Sequence, residues 1–446
     1  MRITVLGSGY VGLVSGACFA EVGHEVVCID IDAAKVERIN AGDSPIYEEG
    51  LDDLLTRNVG NGRLRASTDL ATAVRSSDLT MVAVGTPFDG STIDLTYIRT
   101  AARQIGDALR GHPGYHVVVV KSTVVPGTTV DVVTPIVAEA SGKVPGVDVG
   151  IGMNPEFLRE GTAVADFMQP DRVVLGADSD RTAEIMRAMY QPFPTVPVVV
   201  TTPTTAEAIK YASNSLFAML ISFSNEIADV CESVGDVDAI DVMKGVHLDR
   251  RITPFVGDGR ITAPLTSFLL PGTGFGGSCF PKDLAALVAF GEQRNVPMRL
   301  LRATIDSNLI RPLHTVDLAR EALGGPLDGR RVTVLGLAFK PDTDDVRESP
   351  AIAILRALVL EGAIVTAHDP IAISTMQAVI DDPTVTYEPD LQGALDHADC
   401  VILVTRWSEY AKVPELVREG VPIIDGRRML DPTTPGYRGI GLRVTR

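Results

Sequence analysis

No two cysteines of this chain stand at CxxC spacing, and its histidines form no cluster. The five cysteines are scattered over 446 residues. A disulfide framework and a Cys/His zinc site are therefore not expected, and a reducing compartment, the cytoplasm, is. Long apolar runs are also missing. A stretch such as HVVVV at 116–120 falls far below the roughly 20 residues a spanning helix needs. The start, MRITVLGSG, reads as a strand running into a glycine turn, with no separate apolar segment and cleavage site. No signal peptide is expected there. Positive charge is short as well: 40 Lys and Arg face 57 Asp and Glu, a net charge of −17. That balance argues against a large nucleic-acid surface. An anionic small ligand would have to find local basic residues.

What is present repeats. At this length two or three domains are expected. RITVLG at 2–7 returns as RVTVLG at 331–336. Each is a β-branched run ending at glycine, the pattern of a buried strand feeding a turn. HEVVCID, ending at Asp30, is matched by AIVTAHD, ending at Asp369. SDLTMVAVGT at 77–86 is echoed by ADCVILVTR at 398–406. Three matches in one order predict an α/β protein with two Rossmann-like doubly wound domains.

The first copy carries Gly7-Ser-Gly9-Tyr10-Val11-Gly12 between a strand and an apolar helix. In such a loop Gly7 permits the tight turn, Gly9 admits a pyrophosphate, and Gly12 lets helix and strand pack closely. The helix N-terminus then offers N–H groups to phosphate. Asp30 can accept from both ribose hydroxyls and would repel a 2′-phosphate, which points to NAD rather than NADP. The second copy has Phe339 and Lys340 where the fingerprint glycines would be, so no second dinucleotide is expected. Lys340 and Arg347 instead put cations at the carboxyl end of a strand, where α/β sheets bind ligands; a solvated loop is the alternative.

Between the copies, residues 204–235 read as one proline-free helix about 45 Å long at 1.5 Å per residue. Thr204 and Glu207 fit a capping box, and Gly235 fits the stop. Its apolar face is broad enough for a second subunit. Lys210 and Asn214, four apart, share a face as either a network or a ligand site.

Cys18, Cys231, Cys28 and Cys400 fall in helical or strand patterns and read as small core residues. Cys279 differs. It lies in GTGFGGSCFPKD, with Lys282 and Asp283 behind it, just before an apolar segment. That places it at or near a helix N-terminus, where a thiolate is favoured. The glycines are expected to clear space for a substrate carbon. A nucleophilic thiol beside a nicotinamide suggests oxidation of an aldehyde through a thiohemiacetal and a thioester. Such a reaction also needs acids to handle water, and NPEFLREG offers Glu156 and Glu160; an exposed turn with solvated acids is the alternative.

GSGYVG, NPEFLREG, KYASN, GFGGSCFPKD and FKPDTDDVRESP together resemble the nucleotide-sugar 6-dehydrogenases of the UDP-glucose/GDP-mannose dehydrogenase family. The resemblance runs over essentially the whole chain, and GGSCFPKD is its most specific element. It implies a two-step, NAD-dependent oxidation of a sugar C6 alcohol to a carboxylate: UDP-glucose to UDP-glucuronate, or alternatively GDP-mannose or another nucleotide-hexose. It implies an NAD-binding domain (1–203), a central helical, dimer-forming and catalytic region (204–312) and a nucleotide-sugar-binding domain (313–446). By the same resemblance Cys279 is the nucleophile, with Lys210, Asn214 and Asp283 around the reacting carbon. Glu156 with Thr123 handles water. Gly7, Gly9, Tyr10, Val11, Gly12, Asp30, Lys35, Thr86, Thr123, Glu160, Lys282 and Arg347 meet NAD. Glu156, Phe157, Leu158, Arg159, Glu160, Lys210, Asn214, Phe268, Leu269, Leu270, Pro271, Gly272, Gly276, Lys340 and Arg427 meet the UDP-sugar. One departure is the long stretch LDRRITPFVGDGRITAPLTSFLLPGTG before the cysteine loop. An arginine from this region would reach the partner subunit's substrate, and Arg250, Arg251 and Arg260 all qualify.

Overall fold

The computed structural model describes residues 1–257 and 259–443. The chain packs as two units, Met1–Ser213 and Asn214–Arg446.

The first unit is built on one sheet. Its strands are β1 (Arg2–Leu6), β2 (Glu25–Ile29), β3 (Leu64–Ser67), β4 (Leu79–Val82), β5 (His116–Val120), β6 (Val149–Met153), β7 (Val173–Ala177) and β8 (Val198–Thr201), in the order 3-2-1-4-5-6-7-8. Neighbours run parallel except β6 and β7. All five residues of HVVVV in β5 are buried, as a strand covered on both faces requires. The core joins Ile3 and Val5 to Leu13 and Phe19 of the first helix, Tyr10–Glu21, and holds Cys18 and Cys28.

The second unit has a two-strand ribbon, β9 (Phe255–Val256) with β10 (Gly259–Arg260). It also has a parallel sheet of β11 (Arg331–Leu335), β12 (Ile364–His368), β13 (Val385–Tyr387), β14 (Cys400–Leu403), β15 (Ile423–Asp425) and β16 (Tyr437–Gly439), ordered 13-12-11-14-15-16. The internal repeat is therefore structural. Leu6 pairs with Ile29 and Val82, and its counterpart Leu335 with His368 and Leu403.

The long helix spans Pro203–Val234. Gly235 ends it in the left-handed region, φ 76°, its N–H on the Cys231 carbonyl at 3.1 Å. The start departs from the expected capping box. Thr202, before Pro203, provides the cap, and its hydroxyl accepts the Thr205 N–H at 3.3 Å. Proline at the first helical position shifts the cap by two residues. Glu207 instead reaches across to accept the N–H groups of Gly127 and Thr129 and the Thr129 hydroxyl, all within 2.7 Å. Among the described residues no helix is long and apolar enough to cross a membrane.

Candidate functional site

In the first unit β1 ends in the glycine loop, and each glycine there has a separate reason. Gly7 sits at φ +100°, and a Cβ on it would lie 2.7 Å from the Ala83 carbonyl oxygen. A Cβ on Gly12 would lie 1.8 Å from the Gly7 carbonyl oxygen, so helix and turn touch there. A Cβ on Gly9 would meet nothing within 4 Å. Gly9 thus faces open space at the start of the Tyr10–Glu21 helix, whose N-terminus no side chain caps. That opening suits a diphosphate. Asp30 accepts the Ser8 and Asp32 N–H groups, one on each carboxylate oxygen at 3.0 Å. Each oxygen keeps a lone pair for a ribose hydroxyl. These residues fit a dinucleotide with an unphosphorylated ribose.

Lys35 lies half-buried on the next helix, Ala33–Asn40. The Tyr10 hydroxyl donates to Glu48 and accepts the Gly161 N–H. Burial and the Glu48 contact push that phenol well above its usual pKa, with Glu160 adding to the effect. Tyr10 and Glu160 are therefore neighbours, while Val11 is half-buried in the helix. Thr86 and Thr123 follow β4 and β5, and the Thr86 hydroxyl donates to the Thr123 carbonyl at 2.8 Å.

The second cluster of this unit gathers at the ends of β5 and β6. Glu156 is buried rather than solvated, and its Oε1 lies 2.7 Å from the Lys210 Nζ, with side-chain exposures of 6% and 4%. Its other oxygen accepts the Leu158 N–H at 2.7 Å. Burial alone would raise the Glu156 pKa. The charge and hydrogen bond of Lys210, with Leu158 and Lys121, overcome this and hold it below the usual range. Lys121 donates to the Asn154 side-chain oxygen at 3.0 Å, which also accepts the Tyr190 hydroxyl at 2.6 Å. Burial draws Lys121 down to about 8; Glu156 opposes this and Lys210 adds to it. A cavity of about 100 Å³ lies between Lys121, Glu156, Arg172 and Tyr190. Phe157 has the Arg172 guanidinium 3.8 Å over its ring. The Arg159 side chain is held by Asp166. Sequence reasoning missed Lys121, Asn154 and Tyr190. Lys121 had a signal, a lysine directly after a buried strand; Tyr190 had none.

In the second unit Cys279 is the one exposed cysteine; the other four are buried. It occupies the N-cap of the helix Phe280–Glu292, and its carbonyl accepts the Asp283 N–H at 2.9 Å. Asp283 is 1% exposed and accepts from the Asn214 amide and the Lys282 ammonium, both at 2.7 Å. So the structure brings Asn214, Lys282 and Asp283 together, one helical turn from the thiol.

The glycines of this loop require a correction. In the direction a side chain would take, they admit other protein atoms rather than open space. A Cβ on Gly276 would lie 2.2 Å from the Glu348 carbonyl oxygen, one on Gly277 2.8 Å from the Phe339 ring, and one on Gly274 2.6 Å from Asn308. Close packing against the 339–348 loop is what excludes side chains there. The approach to the loop is also packed. Phe268 stacks on Phe217 at 4.6 Å, Leu269, Pro271 and Gly272 are buried, and Leu270 is half-buried.

The second-copy loop meets the cysteine loop directly, for the Gly277 N–H donates to the Arg347 carbonyl at 2.9 Å. The Arg347 guanidinium lies on Asp345, and the Lys340 ammonium is 5.5 Å from the Phe339 ring centre. Arg427 donates to the Val404 carbonyl at 2.5 Å and the Gly274 carbonyl at 3.3 Å. Burial, with Arg406 nearby, draws its pKa down to about 10. Asp369, the counterpart of Asp30, is 1% exposed and accepts from Leu337, Ala338, Ile371, Ala372 and the Trp407 indole. Its carboxylate is used up inside its own domain. Near the ribbon, Arg251 pairs with Asp249 at 2.7 Å. Arg250 and Arg260 lie 5.2 and 4.6 Å from the Phe255 ring centre. Among the described residues no group of three or more His, Cys, Asp or Glu could hold a metal.

Comparison with known proteins adds three kinds of match. Residues 1–194 match the NAD binding domain of the UDP-glucose/GDP-mannose dehydrogenase family, residues 204–309 its central domain, and residues 333–432 its UDP binding domain. A UDP-glucose 6-dehydrogenase of Haloferax volcanii is 44% identical over 438 residues, 96% of this chain and 97% of that protein. The solved structure of a UDP-glucose dehydrogenase from Pyrobaculum islandicum is 41% identical, with a TM-score of 0.88 over 99% of this chain and 97% of that one. A GDP-mannose dehydrogenase from Pseudomonas aeruginosa is 34% identical, with a TM-score of 0.55 over 99% and 100% of the two chains.

Proposed function

The chain belongs to the UDP-glucose/GDP-mannose dehydrogenase family, and we propose that it oxidises the C6 alcohol of UDP-glucose to the carboxylate of UDP-glucuronate. Bound NAD supplies the hydride acceptor for both oxidations. Cys279 adds to the intermediate aldehyde, giving a thiohemiacetal. Loss of hydride from that adduct leaves a thioester on Cys279, and water releases the acid and restores the thiol. In sum, one alcohol, two NAD and one water give one carboxylate, two NADH and three protons.

The observation that carries this reading is the setting of Cys279. The one exposed cysteine stands at a helix N-terminus, a position that favours thiolate. Lys210 is the cation for the developing alkoxide, and Asp283 with Asn214 manages its proton. A preorganised cation of this kind is worth several kcal/mol in the transition state. Glu156 with Thr123 orders the hydrolytic water, and the cavity by Glu156 supports that role. Gly9 and Asp30 support NAD at the first copy; Lys340 and Arg427 support the nucleotide diphosphate at the second. The three-part division at 1–203, 204–312 and 313–446 follows the same reading.

The enzyme is further proposed to be a cytoplasmic homodimer. Leu216, Phe223 and Val230 recur every seven residues on the long helix and are 49%, 48% and 55% exposed. Leu309 and Ile310 are 72% and 67% exposed on the helix Arg299–Ala322. Apolar exposure at that spacing fits a second copy.

The test is to add NAD with UDP-glucose or GDP-mannose and follow NADH absorbance. UDP-glucose should yield two NADH per sugar. One NADH with released aldehyde, or a preference for GDP-mannose, would refute the reading.

A further inference from the structure

The segment before Cys279 is held in an unusual way. Among the described residues, 271–276 make no backbone-to-backbone hydrogen bond, although all six are buried. Buried peptide groups need partners, and here side chains provide them. The Gly272 N–H donates to the Asn225 side-chain oxygen at 2.8 Å. The Gly272 carbonyl accepts from the Arg311 Nε at 2.9 Å. Asn308 grips Phe275 twice, accepting its N–H at 2.8 Å and donating to its carbonyl at 2.9 Å. Asn225 lies on the long helix, and Asn308 and Arg311 lie three apart on one face of the Arg299–Ala322 helix. Arg311 is 4% exposed and is itself fixed by Asp229.

We propose that Asn225, Asn308 and Arg311 are positioning residues that fix the pose of the Cys279 loop for the reaction. The inference rests on the reading of Cys279 as the nucleophile. None of the three needs to touch substrate. Two helices act through them on Gly272 and Phe275, and so on the thiol four residues further along. Glycine makes such a clamp useful, because each glycine widens the range of conformations open to the backbone. A small shift of the loop would misplace the sulfur, and misplacement of a reacting atom is costly.

The test compares Asn308→Ala and Arg311→Lys with the unaltered enzyme. Arg311→Lys keeps the charge facing Asp229 but removes the N–H at Gly272. Three quantities are read: kcat, the KM for NAD, and the rate of Cys279 alkylation by iodoacetamide, followed by peptide mass spectrometry. The four other cysteines are buried, so alkylation reports this thiol. Losing two hydrogen bonds to the loop should lower kcat about 5- to 150-fold. The KM for NAD should hold, and the alkylation rate should change. A folded Asn308→Ala with unaltered kcat and alkylation rate overturns the proposal. If that variant does not fold, the same result with Arg311→Lys overturns it. A changed alkylation rate with unchanged turnover supports the clamp and removes Cys279 from the chemistry instead.

Discussion

Replacing Lys210 by methionine should expose how the buried pair in the first unit is balanced. Lys210 and Glu156 are 2.7 Å apart and almost wholly buried. Methionine keeps the stem and removes the charge, leaving Glu156 with the Leu158 N–H and the more distant Lys121. Removing one partner of such a pair costs about 3–5 kcal/mol, because the other charge stays buried. The loss must depend on pH. In the unaltered protein the Glu156 pKa lies below its unfolded value. Its stabilising effect is therefore present above the unfolded pKa and lost as pH falls through the folded one. In Lys210→Met the order reverses, since burial dominates and the folded pKa rises above the unfolded one. The variant is then weakest near pH 8 and recovers toward pH 5 as the carboxyl protonates in place. Lys210→Met/Glu156→Gln should recover most of the stability at pH 8. Native-state hydrogen exchange of peptides covering β5 and β6 is the suitable assay, since the one tryptophan, Trp407, reports the other unit. A loss that is equal at pH 5 and pH 8, and is not relieved in the double variant, would refute the reasoning.

Gly9→Ala and Gly12→Ala should fail differently. Gly9→Ala should fold normally but lose NAD binding, measured by calorimetry. Gly12→Ala should also destabilise the first unit, by about 1–3 kcal/mol for overpacking, because its Cβ would meet the Gly7 carbonyl oxygen. Cys279→Ser should stall with a covalent sugar-nucleotide adduct visible by intact-protein mass spectrometry. Cys279→Ala should form no adduct, and near-normal acid production by it would exclude the covalent route. Lys340→Ala should raise the KM for the sugar nucleotide about 10- to 150-fold, the value of a charge-assisted contact, with little change for NAD. Equal effects on both would count against a diphosphate role. His116 is held near pKa 4, mainly by burial, with its two ring nitrogens on the Ser77 carbonyl and the Thr80 hydroxyl. Below about pH 6.5 the unfolded chain takes a proton the folded one refuses, so the first unit should lose up to about 3 kcal/mol between pH 6.5 and pH 4. His116→Asn should flatten that slope in hydrogen exchange, and an unchanged slope would refute the assignment.

The two sheets could be read from the sequence because their signals are local: a β-branched run, a glycine, an acid at the next strand's end. Side-chain meetings across many residues could not. Glu156 and Lys210 lie on different elements, and nothing near either one announces a 2.7 Å pair. Thr204 and Glu207 satisfied a spacing rule, yet Glu207 serves Gly127 and Thr129. The rule counts residues along a helix and does not know what else packs beside it. Glycine shows the same limit most clearly. Both functional loops stood out by their glycines, and both were expected to make room for a ligand. At Gly9 nothing lies within 4 Å of where a Cβ would be; at Gly276 a carbonyl oxygen lies 2.2 Å away. A missing side chain records only that something must come close. Whether that something is a ligand or the protein's own backbone depends on contacts made by residues far away in the chain. The first loop should therefore tolerate alanine at Gly9 as a fold. In the second loop alanine at Gly276 would strike the Glu348 carbonyl oxygen, so that variant should fail first as a fold.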